Sequence, residues 1–205
     1  MNLMKKTLLV GNVTFFVSLL MSLSASAGVS PFGFSVIDPV QVPFRDFSIT
    51  GLRMSVLWGN HSSVSGIDFG GIGNITQQHF GGIGISSIFN LNNGTSTIVG
   101  LQFAGFANMN MNKATILGIQ ATAGVNLNNA ESSLVGAQIA GVSNYSPYTD
   151  VYGFQLSMYN RGHTVTGFQI GLVNDADLLH GIQIGLLNFN RKGMFSVAPV
   201  INIGF

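Results

Sequence analysis

The residues of this chain that could carry out chemistry are few, and their spacing does not bring them into a catalytic or metal-binding pattern. None of the histidines lies at metal-ligand spacing from another histidine or from a glutamate. Most of them fall in predicted turns, where we expect them to be exposed. The four are His61, His79, His163 and His180. Asp175-Ala176-Asp177 could contribute to a calcium site, but such a site needs several further oxygen ligands, so we expect a solvated turn there.

Other sequence patterns that can indicate a catalytic or phosphate-binding site lack the neighbouring residues or elements that such a site needs. Gly66–Gly73 is rich in glycine, but a phosphate-binding loop precedes a helix, and further strands are predicted here. The serines have no neighbouring histidine and acid in a nucleophile-elbow context. One acidic residue lies between Asp68 and Asp150, which leaves few candidates for catalysis by paired carboxylates. The sequence therefore predicts no catalytic, cofactor-binding or metal-binding residue, no cofactor and no small-molecule substrate, and a protein that is not an enzyme.

Charged residues are scarce, and this limits the partners that we expect. Only 7% of the 205 residues are charged, against about 25% in an ordinary soluble domain. Without Lys5 and Lys6, six basic and seven acidic side chains remain, a net charge of −1 with histidine neutral. Nucleic-acid binding needs a basic patch, so nucleic acid is not an expected partner. The surface must consist largely of Asn, Ser, Thr, Gln and Gly, or else much of it faces lipid.

The N-terminus predicts export. Lys5-Lys6 precedes an apolar stretch over residues 8–23, and Ala25-Ser26-Ala27 fits the A-x-A pattern of a cleavage site. A membrane anchor is the alternative, but polar residues interrupt the stretch, which is shorter than the ~20 residues of a spanning helix. We therefore expect residues 1–27 to be a cleaved secretory signal peptide. The chain contains no cysteine, which excludes a disulfide framework and a cysteine-based zinc site.

The strongest signal is an internal repeat that begins with glycine. Each copy begins with a glycine and has apolar residues (Φ) in its second and fourth places, and six of the nine copies have Gln in the third place. Most copies have an Asn at the eighth or ninth position, with the glycine counted as the first, and apolar and polar residues alternate as in a β-strand. A short fixed period indicates an array of one structural unit. The copies begin, at intervals of 14 to 18 residues, at Gly51, Gly66, Gly82, Gly100, Gly118, Gly136, Gly153, Gly167 and Gly181.

These motifs resemble those of a largely uncharacterised family of exported surface repeat proteins of Gram-negative bacteria, built from G-Φ-Q-Φ-G-Φ-Φ-N units. The resemblance rests on Gly167–Asn174 and Gly181–Asn188, on the opening Gly51–Gly59 and on the ending Pro199–Asn202. The middle copies depart from the unit by one inserted small residue, as at Ala104-Gly105. The resemblance covers nearly all of the chain after the signal peptide. It implies export and a repeat fold, and it supplies no catalytic residue.

An all-β, single-domain β-solenoid of about nine short coils is the preferred architecture, because equal periods let every unit meet its neighbours in the same way. We expect the apolar residues of the second and fourth places, among them Phe103, Ile139, Ile170 and Ile184 in the fourth place, to fill its core. The third-place glutamines, such as Gln169, would lie on the outer face. We also expect these glutamines, and the asparagines at the ends of the units, to stack in ladders.

An outer-membrane antiparallel β-barrel of roughly ten strands is the alternative. Units of about the length of a tilted membrane strand and the terminal Phe205 favour it. Against it stand connections of similar length on both sides, the few Tyr and Trp residues, and Pro199 inside the proposed closing strand. On either architecture we divide the chain into the signal peptide 1–27, an N-terminal segment 28–50, the repeats 51–194 and a C-terminal strand 195–205.

The sequence therefore predicts an exported envelope or surface repeat protein with a structural or interaction role. The expected partner is an unknown macromolecule or the outer membrane. The expected location is the outer membrane or the cell surface, with the periplasm as a further candidate. If the chain formed a barrel, it would instead act as a channel or a membrane scaffold.

Overall fold

Seventeen strands make up most of residues 28–205, the part of the chain that the computed structural model describes. The predicted signal peptide, residues 1–27, lies outside the described residues. The strands are β1 Val29–Ile37, β2 Val40–Val42, β3 Ser48–His61, β4 Ser63–Gly70, β5 Gly73–Thr76, β6 His79–Ser86, β7 Phe89–Asn92, β8 Ser96–Ala104, β9 Ala107–Asn110, β10 Ala114–Thr122, β11 Val125–Asn128, β12 Ser132–Ala140, β13 Ser143–Ser146, β14 Thr149–Leu156, β15 Tyr159–Ile170, β16 Val173–Asn190 and β17 Val197–Gly204.

One copy of the repeat forms one coil, and a coil in the middle of the chain contains two strands rather than the single strand that the sequence predicts. A long strand, such as β8, has the repeat glycine Gly100 at its centre. We call its two halves the pre-glycine segment (Ser96–Val99 in β8) and the post-glycine segment (Leu101–Ala104). A short strand, such as β9, follows and carries the asparagines. From β15 onwards the short strand of one coil continues into the long strand of the next.

Neighbouring coils pair in parallel, with equivalent residues opposite each other. Gly118 of β10 pairs with Gly100 of β8, and Gln120 pairs with Gln102. The short strands follow the same rule, with Asn126 of β11 opposite Asn108 of β9. This pairing confirms the all-β solenoid of about nine coils, and the antiparallel barrel is wrong.

The two ends of the solenoid carry strands that depart from this pattern. At the N-terminal end β1 lies parallel to β3, and β2 folds back antiparallel onto β1. At the C-terminal end β17, which contains Pro199, pairs antiparallel with β16. Proline has no backbone N–H, so its position in a terminal strand weakens the free edge as a template for a further strand.

The repeat begins with glycine because the backbone at this position excludes a side chain. Eight of the nine repeat glycines have φ between 123° and 151°, a region that L-residues with a Cβ rarely adopt. A Cβ on Gly118 would also collide with the carbonyl oxygen of Gly100 in the preceding coil. The glycines therefore form a continuous column along the solenoid.

The side chains of the post-glycine segment point the opposite way from the sequence prediction. The fourth-place residues Phe103, Ile139 and Ile184 are 38–41% exposed, and Ile170 is half-buried on the same outer surface. Gln169, which we expected outside, is fully buried. Successive side chains of a strand alternate between its two sides, so burial of the third place puts the second and fourth places outside.

The apolar core lies under the pre-glycine segment instead. Its side chains form a buried column two residues before each repeat glycine, at 0–2% exposure. The column consists of Ile49, Val64, Phe80, Ile98, Ile116, Leu134, Val151, Val165 and Leu179. The inner side of the post-glycine segment and of the short strand is polar.

Two amide ladders run through this polar part of the interior. Along the glutamine ladder each Nε2 donates to the Oε1 of the preceding coil, as from Gln120 to Gln102 (2.9 Å) and from Gln183 to Gln169 (2.7 Å). Along the asparagine ladder, from Asn74 to Asn188, each Nδ2 donates to the Oδ1 of the following coil, at 2.8–3.0 Å. Because each amide pairs with its own copy one coil away, burying it leaves its polar groups satisfied.

Candidate functional site

The outward side of the post-glycine segments forms a continuous apolar surface, which we call the apolar face. It consists of the second- and fourth-place residues of the nine copies, stacked in two columns. Every one of these side chains is apolar. At a strand spacing of about 4.8 Å the columns extend over roughly 38 Å. The members are Leu52, Met54, Ile67, Phe69, Ile83, Ile85, Leu101, Phe103, Ile119, Ala121, Ala137, Ile139, Phe154, Leu156, Phe168, Ile170, Ile182 and Ile184.

Further exposed apolar residues border this face on both sides. On the pre-glycine side they stand directly before the repeat glycine, as Val99, Leu117, Val135 and Tyr152. At the corner after the post-glycine segment they are Ile88, Phe106, Val142, Met158 and Leu172. In the middle coils the apolar surface is therefore wider than the two columns, whereas residues such as Ser65 and His180 stand before the repeat glycine nearer the ends.

Open grooves lie along this corner near each end of the solenoid. The N-terminal groove, of about 410 Å³, runs beside Met54, Phe69 and Ile85 over the small residues Gly70 and Gly71. An equivalent groove of about 460 Å³ lies beside Ile170 and Ile184 at the C-terminal end. Both form where the repeat has glycine or serine after the fourth place, so the apolar face is ridged rather than smooth at its ends.

The charged residues of the middle coils lie at the turns that link each short strand to the next coil, which we call the turn edge. Lys113, Glu131, Asp150 and His163 line a cleft of about 430 Å³ there, together with Tyr148. Along the chain, the pre-glycine segment lies between this turn and the post-glycine segment of the same coil. The short strand lies between the post-glycine segment and the next turn. The turn edge is therefore the part of the coil farthest from the apolar face.

An ionic cluster continues this edge in the last coils. Arg191 Nη2 lies 2.6 Å from Asp175 Oδ2, and Arg161 Nη2 lies 2.7 Å from Asp177 Oδ1. His163 Nδ1 is 3.0 Å from Asp177 Oδ2. Partial burial opposes ionisation of Asp177, but the hydrogen bonds from His163 and Arg161 hold the pKa of its carboxyl below the usual value.

The expected solvated turn at Asp175-Ala176-Asp177 is therefore wrong. These residues lie in strand β16, and Asp175 and Ala176 are buried. Their carboxylates pair with arginines from positions 14 to 16 residues away, across neighbouring coils. The contacts neutralise the carboxylates and fix the outer surface of the last short strands.

An ion pair replaces the glutamine ladder in the first two coils. Arg53 and Asp68 occupy the third place of their copies and are 0% and 1% exposed. Nε of Arg53 donates to Asp68 Oδ1 (2.7 Å) and Nη2 to Oδ2 (2.6 Å), while Nη1 donates to the carbonyl oxygen of Ile75 (2.8 Å). Sequence reasoning missed this pair, although the break in the run of third-place glutamines marks its position.

His61 is also buried, at the end of β3, so the prediction of an exposed turn residue is wrong for it. Burial, and then the charge of Arg53, lower the pKa of His61 to about 4. The neutral ring donates from Nε2 to the carbonyl oxygen of Pro43 (3.2 Å), and its Nδ1 faces Arg53 Nη1 at 3.4 Å. The ring therefore helps to hold the chain before β3 against the first coil. His79 and His180 are exposed as expected, but they lie in strands β6 and β16.

Within residues 28–205, no three histidine, aspartate or glutamate side chains are placed to hold a metal ion together. This part of the chain also has no helix of the length and apolar character needed to cross a membrane. Comparisons of the chain with family models, with curated proteins and with solved structures gave no match. The functional proposal therefore rests on the geometry of the described residues, whose most distinctive feature is the apolar face.

Proposed function

We propose that this protein is an exported repeat protein of the bacterial envelope or cell surface that acts through surface contact, with no catalytic site. The observation that carries the proposal is the apolar face, in which two columns of nine outward positions hold no polar side chain. Large exposed apolar patches on a folded protein mark sites of contact with other proteins or with membranes.

The construction of the interior suits such a role. Because the coils repeat in register, the solenoid presents one extended surface whose residues recur at the coil spacing. The amide ladders and the ion pair hold each coil to the next from the inside, so the outward side chains are not needed to close the core. They are free to contact a partner.

The sequence of residues 1–27 supports export. Lys5-Lys6, the apolar stretch and Ala25-Ser26-Ala27 have the order of a secretory signal peptide. The resemblance to exported surface repeat proteins supports a location at the outer membrane or the cell surface, and the periplasm is consistent with the same signal. The partner is accordingly a macromolecule or a membrane of the envelope.

Expression of the full chain in a Gram-negative host tests export and surface contact separately. N-terminal sequencing should find Gly28 as the first residue, and Ala27→Trp should leave an uncleaved precursor because the peptidase accepts only small residues there. Retention of Met1 in the wild-type product would show that the export proposal is wrong.

The fractionation of the processed protein tests the role of the apolar face. The wild-type protein should remain with the envelope after a carbonate wash, whereas a variant with Phe103→Gln, Ile139→Gln and Ile184→Gln should move to the soluble fraction. Equal distribution of the two proteins between these fractions would contradict an interaction role for this face.

A further inference from the structure

We propose that the apolar face docks on a lipid bilayer, with the solenoid lying flat and its axis parallel to the membrane plane. This inference rests on the proposed function and names the partner of the same surface. The residues in contact would be the two columns of the apolar face, together with bordering residues such as Phe106 and Met158.

Apolar and charged residues are separated around the coil. The apolar face holds no charged residue, and Lys113, Glu131, Asp150 and Arg161 lie at the turn edge or on the short strands. An amphipathic helix that lies in a membrane interface has the same division, with its apolar side inserted and its charged side in water. Here the division runs along the full length of the solenoid. Since no basic residue belongs to the apolar face, docking should not require anionic lipid.

The backbone beneath the apolar face is also suited to contact with hydrocarbon. Hydrocarbon tolerates only peptide groups that are hydrogen-bonded within the protein. In this solenoid the bonds between parallel strands run from coil to coil along the axis, so each long strand between the two ends pairs on both edges. The apolar face therefore carries no free row of peptide groups. The unpaired edge of β17 lies at the C-terminal end of the solenoid, away from the centre of the face.

The composition and the periodicity of the apolar face favour a bilayer over a second copy of the chain as its partner. Protein interfaces carry about one hydrogen bond per 100–200 Å², and the apolar face has no polar side chain to form one. Its two columns also repeat at each coil, so a second copy displaced by one coil would find nearly the same contacts. Register is weakly specified in such a case. A fluid lipid surface requires no register, which favours lipid as the partner.

The absence of cysteine from the chain allows a direct test with single labelled positions. Ile139→Cys on the apolar face and Thr115→Cys on the pre-glycine segment, both exposed positions, each receive an NBD fluorophore in a chain of residues 28–205, which contains all seventeen strands. With phosphatidylcholine vesicles, the probe at 139 should brighten several-fold, shift to the blue and be quenched by spin label on the acyl chains. The probe at 115 should not respond.

A variant pair tests whether the apolar face itself drives the binding. Phe103→Gln, Ile139→Gln and Ile184→Gln together should reduce vesicle partitioning at least tenfold. The matched control replaces Met111, Tyr145 and Tyr148 by Gln; these residues are 41–61% exposed on the short strand β13 or in the turns that follow the short strands β9 and β13, and partitioning should be unchanged. Circular dichroism checks that both variants retain the fold. Partitioning of the wild-type protein should also be unchanged in 0.5 M NaCl.

Each other outcome overturns the proposal. Strong quenching at 115, or loss of vesicle binding in salt, would place the contact at a charged surface. Blue-shifted fluorescence at 139 without vesicles, rising with protein concentration and accompanied by dimers in light scattering, would show that a second copy covers the face. In that case the lipid inference fails and the proposed interaction role stands. If the protein neither binds vesicles nor self-associates, and the triple variant fractionates with the envelope like the wild type, both proposals fail.

Discussion

The inner and outer sides of the post-glycine segment carry opposite chemistry within the same few residues. Gln138 and Gln169 on the inner side are 0% exposed, whereas Ile139 on the outer side is 38% exposed. In an ordinary strand we would expect the reverse. The difference shows that in a stack of identical coils, a polar group can be buried when its own copy in the next coil is its hydrogen-bond partner.

A second contrast lies among the third-place residues on the inner side of the post-glycine segments, which we call the inner column. In the middle of the ladder, each glutamine both donates and accepts, but Gln183 Oε1 at the last coil has no partner among residues 28–205. Towards the N-terminal end the column contains Gly84, then Asp68 and Arg53, and the ion pair satisfies the groups there. The side-chain amides in the middle of a ladder therefore have their hydrogen-bond partners, whereas the amides at its ends need other groups as partners.

The largest effect should come from breaking the buried ion pair at the start of this column. Arg53→Met leaves the Asp68 carboxylate buried and unpaired, so we expect the free energy of unfolding to fall by about 3–5 kcal/mol. Urea denaturation measures the change. The double variant with Arg53→Met and Asp68→Leu should recover most of the loss, because apolar groups then occupy both positions. A double variant no more stable than Arg53→Met would contradict this account of the inner column.

The glutamine ladder provides the next test. Gln169 donates to Gln155 Oε1 and accepts from Gln183 Nε2, both at 2.7 Å. Gln169→Leu removes both bonds and leaves the Gln155 acceptor without a donor, so we expect a loss of about 2–3 kcal/mol. Gln102→Leu is the matched control, because Gly84 precedes it in the column and it has one ladder neighbour; its loss should be about half. Thermal or chemical denaturation that finds both variants as stable as the wild type would show that the ladder does not stabilise the fold.

Acidification tests the burial of His61. In the unfolded chain this ring binds a proton below pH 6.5, but in the folded chain only below about pH 4. The unfolded state therefore binds more protons between these values, and stability should fall as the pH drops from 6.5 to 4, by up to about 3 kcal/mol. His61→Gln should flatten the dependence of the melting temperature on pH in this window. If the melting temperature of His61→Gln still fell between pH 6.5 and 4 as it does in the wild type, another titrating group would be responsible for the pH dependence.

The smallest effect should come from truncation on the outer side. Ile170 is half-buried among its neighbours in the apolar face, so Ile170→Ala should lower the free energy of unfolding by about 1 kcal/mol or less. Leu134→Ala, in the fully buried pre-glycine column, should cost about 2–5 kcal/mol. If Ile170→Ala destabilised the protein as much as Leu134→Ala, the outer side would belong to the core and the comparison between the two sides would be wrong.

The repeat can be recognised from the amino-acid sequence alone, and it specifies the fold. Copies of nearly equal length, each with glycine at the start and asparagine near the end, can be superimposed coil on coil, so the solenoid and its ladders could be predicted. The column of glycines from Gly66 to Gly181 follows from the same register.

The side of each strand that faces inward could not be predicted without the stacked coils of the folded chain. A period of two defines two sides without saying which is buried, and the usual preference for apolar interiors gave the wrong one for Gln169 and Ile170. That preference reflects the free energy of transferring each side chain from water to an apolar interior. Gln169 forms its ladder hydrogen bonds only when the neighbouring coils are in place. The sequence of one unit therefore does not show that burial of this side chain is favourable. The same holds for His61 and for Asp175 and Asp177, whose burial and ion pairs depend on groups that coil stacking or chain folding brings to them.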